Sequence, residues 1–380
     1  MIDILRFLKM HAAGIKNNRK GWRTNRKIVV FESDDWGSIR MPSKEAYDYC
    51  LSKGYQVNKN IYSKYDSLAS RDDLLMLFNL LQEFKDSVGR HPVITANCLV
   101  TNPDFDKIRE SDFTQYHYEL LTKTFEQYPN HSKNWEIWQT ANREGLFHPQ
   151  SHGREHLNVS RFMNDLQSRN PDARFAFDLN MPGIFAKNNV ELGNEYVVAL
   201  EHFNEKDKFD KIEIISEGLN LFKKLFLYCS ESFIACNYVW TPELESRLVD
   251  MGVKFIQGSK TQLIAKGNYS GFDRKSHYMG KKHENGMIYL TRNAHFEPSA
   301  NQNKDWVDSC LNQINSAFLW KRPAVISSHR INFVGYIDPR NRDKNIVQFK
   351  NLLCQIITKW PMVEFMTTTE LGSLISTKVK

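Results

Sequence analysis

Apolar positions along this chain follow two periods that take turns. Short, nearly unbroken apolar or β-branched runs predict strands at 28–31, 93–100, 145–149, 233–238, 253–257, 287–291, 324–328 and 363–367. Between them, apolar residues spaced three and four apart predict helices at 71–84, 135–142, 211–227, 242–251, 306–319 and 344–359. Strand and helix in alternation predict the α/β class with parallel strands, and about eight such strands predict a closed or nearly closed β/α barrel. Two stretches, 102–131 and 158–208, are long for plain connections, and a third, 259–286, is rich in Gly, Lys and His. Insertions of this length are expected to form lids or binding loops. No internal repeat or Pro/Gly linker breaks the pattern. The predicted organisation is therefore an amphipathic, basic helical extension over 1–26 and a single domain over 27–380.

Composition narrows the class. The 380 residues are 41% hydrophobic and 25% charged, which suits a globular chain with a large core. The formal charge is +7, but Lys and Arg are spread along the chain with no dense basic run among aromatics, so no nucleic-acid partner is expected. The six cysteines, Cys50, Cys98, Cys229, Cys236, Cys310 and Cys354, show no CxxC pairing and read as reduced thiols. The start has an acid at position three and no long apolar run, so it reads as neither an export signal nor a membrane span. These features point to the cytoplasm. The amphipathic start and the basic stretch after it leave two readings open, a helix on the inner face of the membrane or one packed on the protein body.

Candidate chemistry sits at the ends of three predicted strands. Phe31-Glu32-Ser33-Asp34-Asp35-Trp36-Gly37-Ser38 places two adjacent carboxylates after an apolar run. Like charges side by side are easiest to explain if a cation neutralises one of them; the alternative is a solvated pair capping the next helix. Ser151-His152-Gly153-Arg154-Glu155-His156-Leu157-Asn158 places two imidazoles four apart, on one side if the segment is helical or tightly turned. His329 closes the run Ala324-Val-Ile-Ser-Ser, where it could serve as a general acid or simply be a satisfied histidine. One acid and two histidines leave metal positions open for water and substrate.

In these motifs the chain resembles the polysaccharide deacetylase (NodB-homology) superfamily of metal-dependent carbohydrate esterases. Glu32-Ser33-Asp34-Asp35 is similar to the family's Thr-Phe-Asp-Asp, His152-Gly-Arg-Glu-His156-Leu157-Asn158 to its His-Ser/Thr-x-x-His segment, and Ile326-Ser-Ser-His329 to its late Leu-His strand. The resemblance runs over about residues 27 to 375, the insertions excepted. It implies a distorted (β/α)7–8 barrel with long loop insertions. It also implies Asp35, His152 and His156 as ligands of a divalent metal, Zn²⁺ foremost and Co²⁺, Mn²⁺ or Fe²⁺ as alternatives. Asp34 would be the general base and His329 the acid. Trp36, Asn237, Tyr238, Trp240 and Arg330 are the expected substrate contacts, with a backbone N–H near Asn237 aiding the tetrahedral oxygen. The chain departs where the family has Phe-Arg-x-Pro-Tyr-Gly: the stretch is Phe233-Ile234-Ala235-Cys236-Asn237-Tyr238, so the arginine that orients the base is replaced by Ile234. Arg40, Arg154, Arg292 and Arg330 are the candidates to replace it. The family's Asp-x-x-Asp-Trp has no equivalent near 257–263.

The activity this implies is hydrolysis of an N-acetyl group on a sugar or a lipid- or nucleotide-linked glycan precursor, in surface polysaccharide synthesis. Two readings compete: another metal-dependent hydrolase, such as a phosphoesterase, and an inactive carbohydrate-binding relative.

Overall fold

A computed structural model of the chain describes residues 18–187, 189–194 and 196–377. Nine strands carry the architecture: β1 (Lys27–Trp36), β2 (Ile94–Cys98), β3 (Phe147–Ser151), β4 (Ser232–Phe233), β5 (Phe255–Gly258), β6 (Ile288–Thr291), β7 (Ala294–His295), β8 (Ala324–His329) and β9 (Val363–Phe365). They lie in the order β6-β5-β4-β3-β2-β1-β8-β7, all parallel, with β9 beside the foot of β1. The two-residue strand Lys281–Lys282 runs antiparallel outside β6.

This sheet closes through one piece of chain. β6 pairs with β5 and β7 with β8, and the two are separated only by Arg292 and Asn293. The Arg292 N–H donates to Gly258 O at 2.9 Å, and the Asn293 N–H to Val325 O at 3.0 Å. The segment from 288 to 295 thus leaves one edge of the sheet and joins the other. With β6 and β7 counted as one position, seven strands ring the barrel and β9 is an eighth. That is the distorted (β/α)7–8 barrel the motifs implied.

Around it pack α1 (Arg71–Gln82), α2 (Asn134–Arg143), α3 (Glu205–Phe226), α4 (Pro242–Asp250), α5 (Trp306–Leu319), α6 (Pro339–Lys359) and α7 (Thr368–Thr377). Their starts are written in the sequence. Ser70 and Asp73 form a capping box on α1, Asn204 caps α3, and Pro242 and Pro339 occupy first turns where a missing N–H costs nothing. The outer face of the barrel buries aromatic pairs: Phe31 meets Phe349 edge-on at 5.4 Å, and Trp36 meets Phe147 at 5.1 Å. α3 reaches the site directly. A Cβ on Gly218 would stand 2.7 Å from the Arg154 nitrogen, so only glycine lets this helix touch the loop between His152 and His156.

All eight predicted strands exist, six of them with both ends within about two residues of the pattern and two that end well away from it. β1 runs on to Trp36 and so includes both aspartates, where the sequence pattern ended it at Phe31. The strand predicted over 233–238 stops at Phe233 and gives way to a 3-10 turn, Cys236–Tyr238, with Asn237 and Tyr238 at φ 55° and 58°. The three insertions fold into small hairpins and helices: Thr101–Pro103 with Tyr118–Leu120, Ile184–Ala186 with Asn189–Asn194, and Thr261–Ala265 with Phe272–Ser276.

The predicted helical extension is described only from residue 18. Residues 19–26 are turns and irregular backbone, not helix, because Arg322 gathers their carbonyls: it donates to Asn18 O at 2.8 Å, Trp22 O at 2.6 Å and Arg19 O at 3.1 Å. The amphipathic start that raised the membrane reading, residues 1–10, lies outside the described residues, as does the chain up to residue 17. No helix among the described residues is long and apolar enough to cross a membrane. All six cysteines are free thiols.

Candidate metal and catalytic site

The carboxyl ends of the parallel strands deliver the predicted groups to one mouth of the barrel. β1 and β8 are in register with Asp34 opposite His329. A bulge between Ser33 and Trp36 breaks the simple two-residue alternation, and Asp35 adopts φ 72°. Left-handed backbone at a non-glycine residue persists only where its surroundings enforce it. Here it accompanies two consecutive carboxylates that both line the same pocket.

Asp35 faces the two histidines. Its Oδ1 lies 3.3 Å from His152 Nε2 and 3.5 Å from His156 Nε2. The segment between the histidines is an irregular loop and not a helix, turned through Gly153 at φ 121°. His152 is fixed by its other nitrogen, Nδ1, against Ile234 O at 2.9 Å. His156 Nδ1 is buried with no hydrogen-bond partner. Burial holds the His156 imidazole down to about 3, so it is neutral and free to act as a ligand. Burial works against charge on Asp35, but His152 and His156 hold it well below the usual carboxylate range.

Asp34 belongs to a different network. Arg292, wholly buried, donates Nη2 to Asp34 Oδ1 and Nη1 to Asp34 Oδ2, both at 2.6 Å, and Nε to Glu32 Oε2 at 2.6 Å. Asn97 adds a bond to Asp34 Oδ1 at 2.7 Å, and Gln257 ties Asn97 in place at 2.9 Å. Burial opposes charge on Asp34, yet the guanidinium brings its carboxyl down to about 2. Glu32 is raised, because burial outweighs its share of the same arginine. Arg292 therefore stands where Ile234 could not. It comes from the strand junction that closes the barrel, and of the four candidate arginines it is the one that meets Asp34.

His329 completes the set. Its Nε2 is 3.8 Å from Asp34 Oδ2, and its Nδ1 is 2.7 Å from Glu297 Oε1. Asn332 steadies the other Glu297 oxygen at 2.7 Å. Burial would lower the imidazole, but Glu297 beside it carries it well above its ordinary value. Tyr62 packs edge-on to His329 at 5.9 Å and lines the same 270 Å³ pocket with Arg40 and Asn60.

The pocket corrects part of the expected substrate surface. Asn237 and Tyr238 line it. Trp36 does not: it is buried on Phe147 and Trp138, with its indole N–H on Ser33 Oγ at 2.9 Å. Trp240 is buried too, donating to Glu245 Oε1 at 2.8 Å and stacked with His277. Arg330 is wholly buried and forked on Asp66 at 2.9 and 3.2 Å. None of the three reaches a ligand in the pocket. The Tyr238 N–H is already given to Ala235 O at 3.0 Å.

Sequence reasoning missed Glu297, Asn97 and Cys236. Glu297 has a visible signal, an acid just past the short run Ala294-His-Phe. Asn97 inside an apolar strand is a weaker one. Cys236 Sγ lies with one nitrogen each of His152 and His156 in a group whose members are all within 4.8 Å of one another. Burial pushes this thiol well up, and its S–H lies 3.5 Å from His152 O.

With the geometry in hand, the chain can be set beside known proteins. No model of a protein family matches its sequence, and no curated protein does. Polysaccharide deacetylases are among the solved structures that resemble it. One, from Mycobacterium smegmatis, has 9% identity and a TM-score of 0.44, over 94% of this chain and 93% of its own. An allantoinase (PuuE) has 9% identity and a TM-score of 0.45, over 96% and 94%. A 4-alpha-glucanotransferase from Thermococcus litoralis has 10% identity and a TM-score of 0.43; the match takes in 92% of this chain, which spans only 40% of that one.

Two edges of the Asp35, His152 and His156 set have the length a divalent metal site requires. In a tetrahedral site with bonds of about 2.0–2.1 Å, two ligand atoms are separated by about 3.3–3.4 Å. The Asp35–His152 and Asp35–His156 separations of 3.3 and 3.5 Å match that edge.

Proposed function

We propose that the protein is a metal-dependent hydrolase that removes the N-acetyl group from a sugar in a glycan or glycan precursor. The observation that carries this reading is the division of labour at the barrel mouth: a metal-ligating trio on one side, an arginine-held carboxylate and a carboxylate-held histidine on the other. Asp35, His152 and His156 would hold the ion, with Zn²⁺ favoured by two nitrogen donors and one carboxylate. The ion's contribution is to polarise the amide carbonyl and to lower the pKa of water to about 7.

The chain's own residues do the rest. Arg292 and Asn97 keep Asp34 ionised and fixed, so its carboxylate is ready to accept a proton from water. With a carboxyl held near 2, Asp34 is a weak base and depends on that acidified water. Glu297 keeps His329 protonated with Nδ1 committed, which leaves the Nε2 proton for the departing amine. Asn237 and Tyr238 form the wall against which the sugar lies. Arg292 also bears on the inactive, carbohydrate-binding reading. That reading rested on a missing arginine partner for Asp34, and Asp34 has one.

The test is acetate release from N-acetylated mono- and oligosaccharides by protein loaded with Zn²⁺, Co²⁺ or Mn²⁺, with a phosphodiester as the competing substrate. Acetate release that falls at least about a hundredfold in Asp34→Asn supports the proposal. Full metal loading without acetate from any N-acetylated sugar overturns it, and turnover of the phosphodiester points to the phosphoesterase.

A further inference from the structure

The foot of the barrel, opposite the catalytic mouth, carries a surface that the proposed chemistry does not use. Met362 is 72% exposed, Leu319 70% and Val88 63%, among the most exposed large apolar side chains of the described residues. Each lies one to six residues before a parallel strand: Val88 before β2, Leu319 before β8 and Met362 before β9. β1 pairs with all three of those strands, so the three side chains sit on one arc of the foot. Single exposed apolar residues are ordinary, but several on one arc mark a surface that meets something.

Short contacts stitch this arc together. Thr24 N–H donates to Lys321 O at 2.8 Å, and Ser87 Oγ to Val363 O at 2.9 Å. Phe318, next to Leu319, meets Trp360 edge-on at 5.1 Å, and Lys27 lies over the Phe318 ring at 4.9 Å. Trp22, Trp320 and Trp360 are half-buried along it, as indoles are where one side of a ring is apolar and the other wet.

The free charge of the arc has one sign. Arg19, Lys20, Arg23, Lys85, Lys321 and Lys359 are exposed, and none has an ion-pair partner among the described residues. The acids beside them are committed: Glu364 to Arg26, Glu370 to Arg90 and Glu83 to Lys350. Asp86 is buried and accepts from Phe365 N–H at 2.9 Å. The exposed acids Glu144, Asp250 and Glu284 precede β3, β5 and β6, outside the arc. The chain also enters the described structure here, where Arg322 holds Asn18 O at 2.8 Å, so the amphipathic start 1–10 joins the protein at this face.

Aliphatic tips ringed by unpaired cations match an anionic lipid surface, which takes the former into its headgroup boundary and the latter against its phosphates. A nucleic acid would engage the cations and leave the aliphatic tips in water. We propose that the arc of the foot around β2, β9, β1 and β8 docks on an anionic membrane surface, with Val88, Leu319 and Met362 entering the headgroup boundary and the six cations holding it there. The contact does not depend on the deacetylase reading. It does orient the site: the catalytic mouth lies at the other end of the same strands, so a barrel resting on its foot opens to the water and not to the lipid.

The experiment sediments the full chain with vesicles of phosphatidylcholine, alone or with about one third phosphatidylglycerol. Binding to the anionic vesicles should be at least about tenfold tighter than to the neutral ones, and should weaken about tenfold as NaCl rises from about 0.1 to about 0.5 M. Leu319→Ser/Met362→Ser and Arg23→Glu/Lys321→Glu should each weaken it about tenfold, whereas Val347→Ser, 67% exposed but midway along α6, should not. Melting curves establish that the variants are folded, and Leu319→Ser alone serves if the double variant is not. No binding, equal affinity for both kinds of vesicle, or binding that neither pair of foot changes weakens overturns the proposal. So does self-association in lipid-free buffer that Leu319→Ser/Met362→Ser abolishes, which gives the face to a second copy, or duplex DNA bound more tightly than the anionic vesicles.

Discussion

Arg292→Met removes the one cation that serves two buried carboxylates, and its effect can be worked out in advance. The wild-type guanidinium makes three bonds of 2.6 Å to Asp34 and Glu32, and both it and Glu32 have no exposed side-chain surface. Breaking a buried ion pair by deleting one partner costs about 3–5 kcal/mol. Protonation sets a ceiling on the Glu32 share of that cost. Glu32 has an ordinary value of 4.5, so forcing a proton onto it at pH 7 costs about 1.36 × 2.5, or about 3.4 kcal/mol. At pH 5 the same step costs about 0.7 kcal/mol. In the variant, Glu32 is raised further, so the folded state binds more protons than the unfolded state and the defect shrinks as pH falls. Urea unfolding of wild type and variant at pH 7 and pH 5 measures this difference. We expect a loss of about 3–5 kcal/mol at pH 7, about 2–3 kcal/mol of it recovered at pH 5, and most of it recovered at pH 7 by adding Glu32→Gln. A loss below about 1 kcal/mol at pH 7 that does not change with pH would refute the assignment of Arg292 as the shared partner.

Three further outcomes follow from the same geometry. Glu297→Gln should leave the fold intact but lower the His329 titration, moving the alkaline limb of kcat/KM to lower pH; an unmoved limb would separate His329 from the proton transfer. Gly218→Ala drives a Cβ into the backbone of the histidine loop, so it should cost about 1–3 kcal/mol by urea unfolding and weaken metal binding, although alanine is the better helix former. His277, stacked on Tyr289 at 3.9 Å, is held down to about 3 by burial. Its unfolded form takes up a proton below about pH 6.5, so folding stability falls as pH drops from there toward 3, and His277→Gln should flatten that slope in urea titrations at several pH values.

Much of this site was legible before any coordinates. Strand-end chemistry is local, so Asp34, Asp35, His152, His156 and His329 could each be read from an apolar run followed by an ionisable group. The barrel followed from the alternation of periods. What stayed hidden was partnership across distance in the sequence. Arg292 lies 258 residues from Asp34, and it meets it only because the 288–295 segment closes the ring. Aromatic exposure was the other weak point. Trp36 and Trp240 follow strand ends as a substrate-stacking residue would, yet the bulge in β1 and the turn after β4 send both into the core. Phe203 and Tyr269, inside insertions with no period to read, are among the aromatic residues left exposed instead. The end of β1 was misjudged because polar residues normally close a strand, whereas here Glu32, Ser33, Asp34 and Asp35 continue it, each carboxylate among them bonded or paired inside the barrel mouth.

The central claim is that Asp35, His152 and His156 hold one divalent ion. Elemental analysis of protein dialysed against Zn²⁺ should find about one ion per chain in the wild type and in Cys236→Ser, and almost none in Asp35→Ala or His152→Ala. Unchanged stoichiometry in those last two variants, or loss of the ion in Cys236→Ser alone, would contradict it.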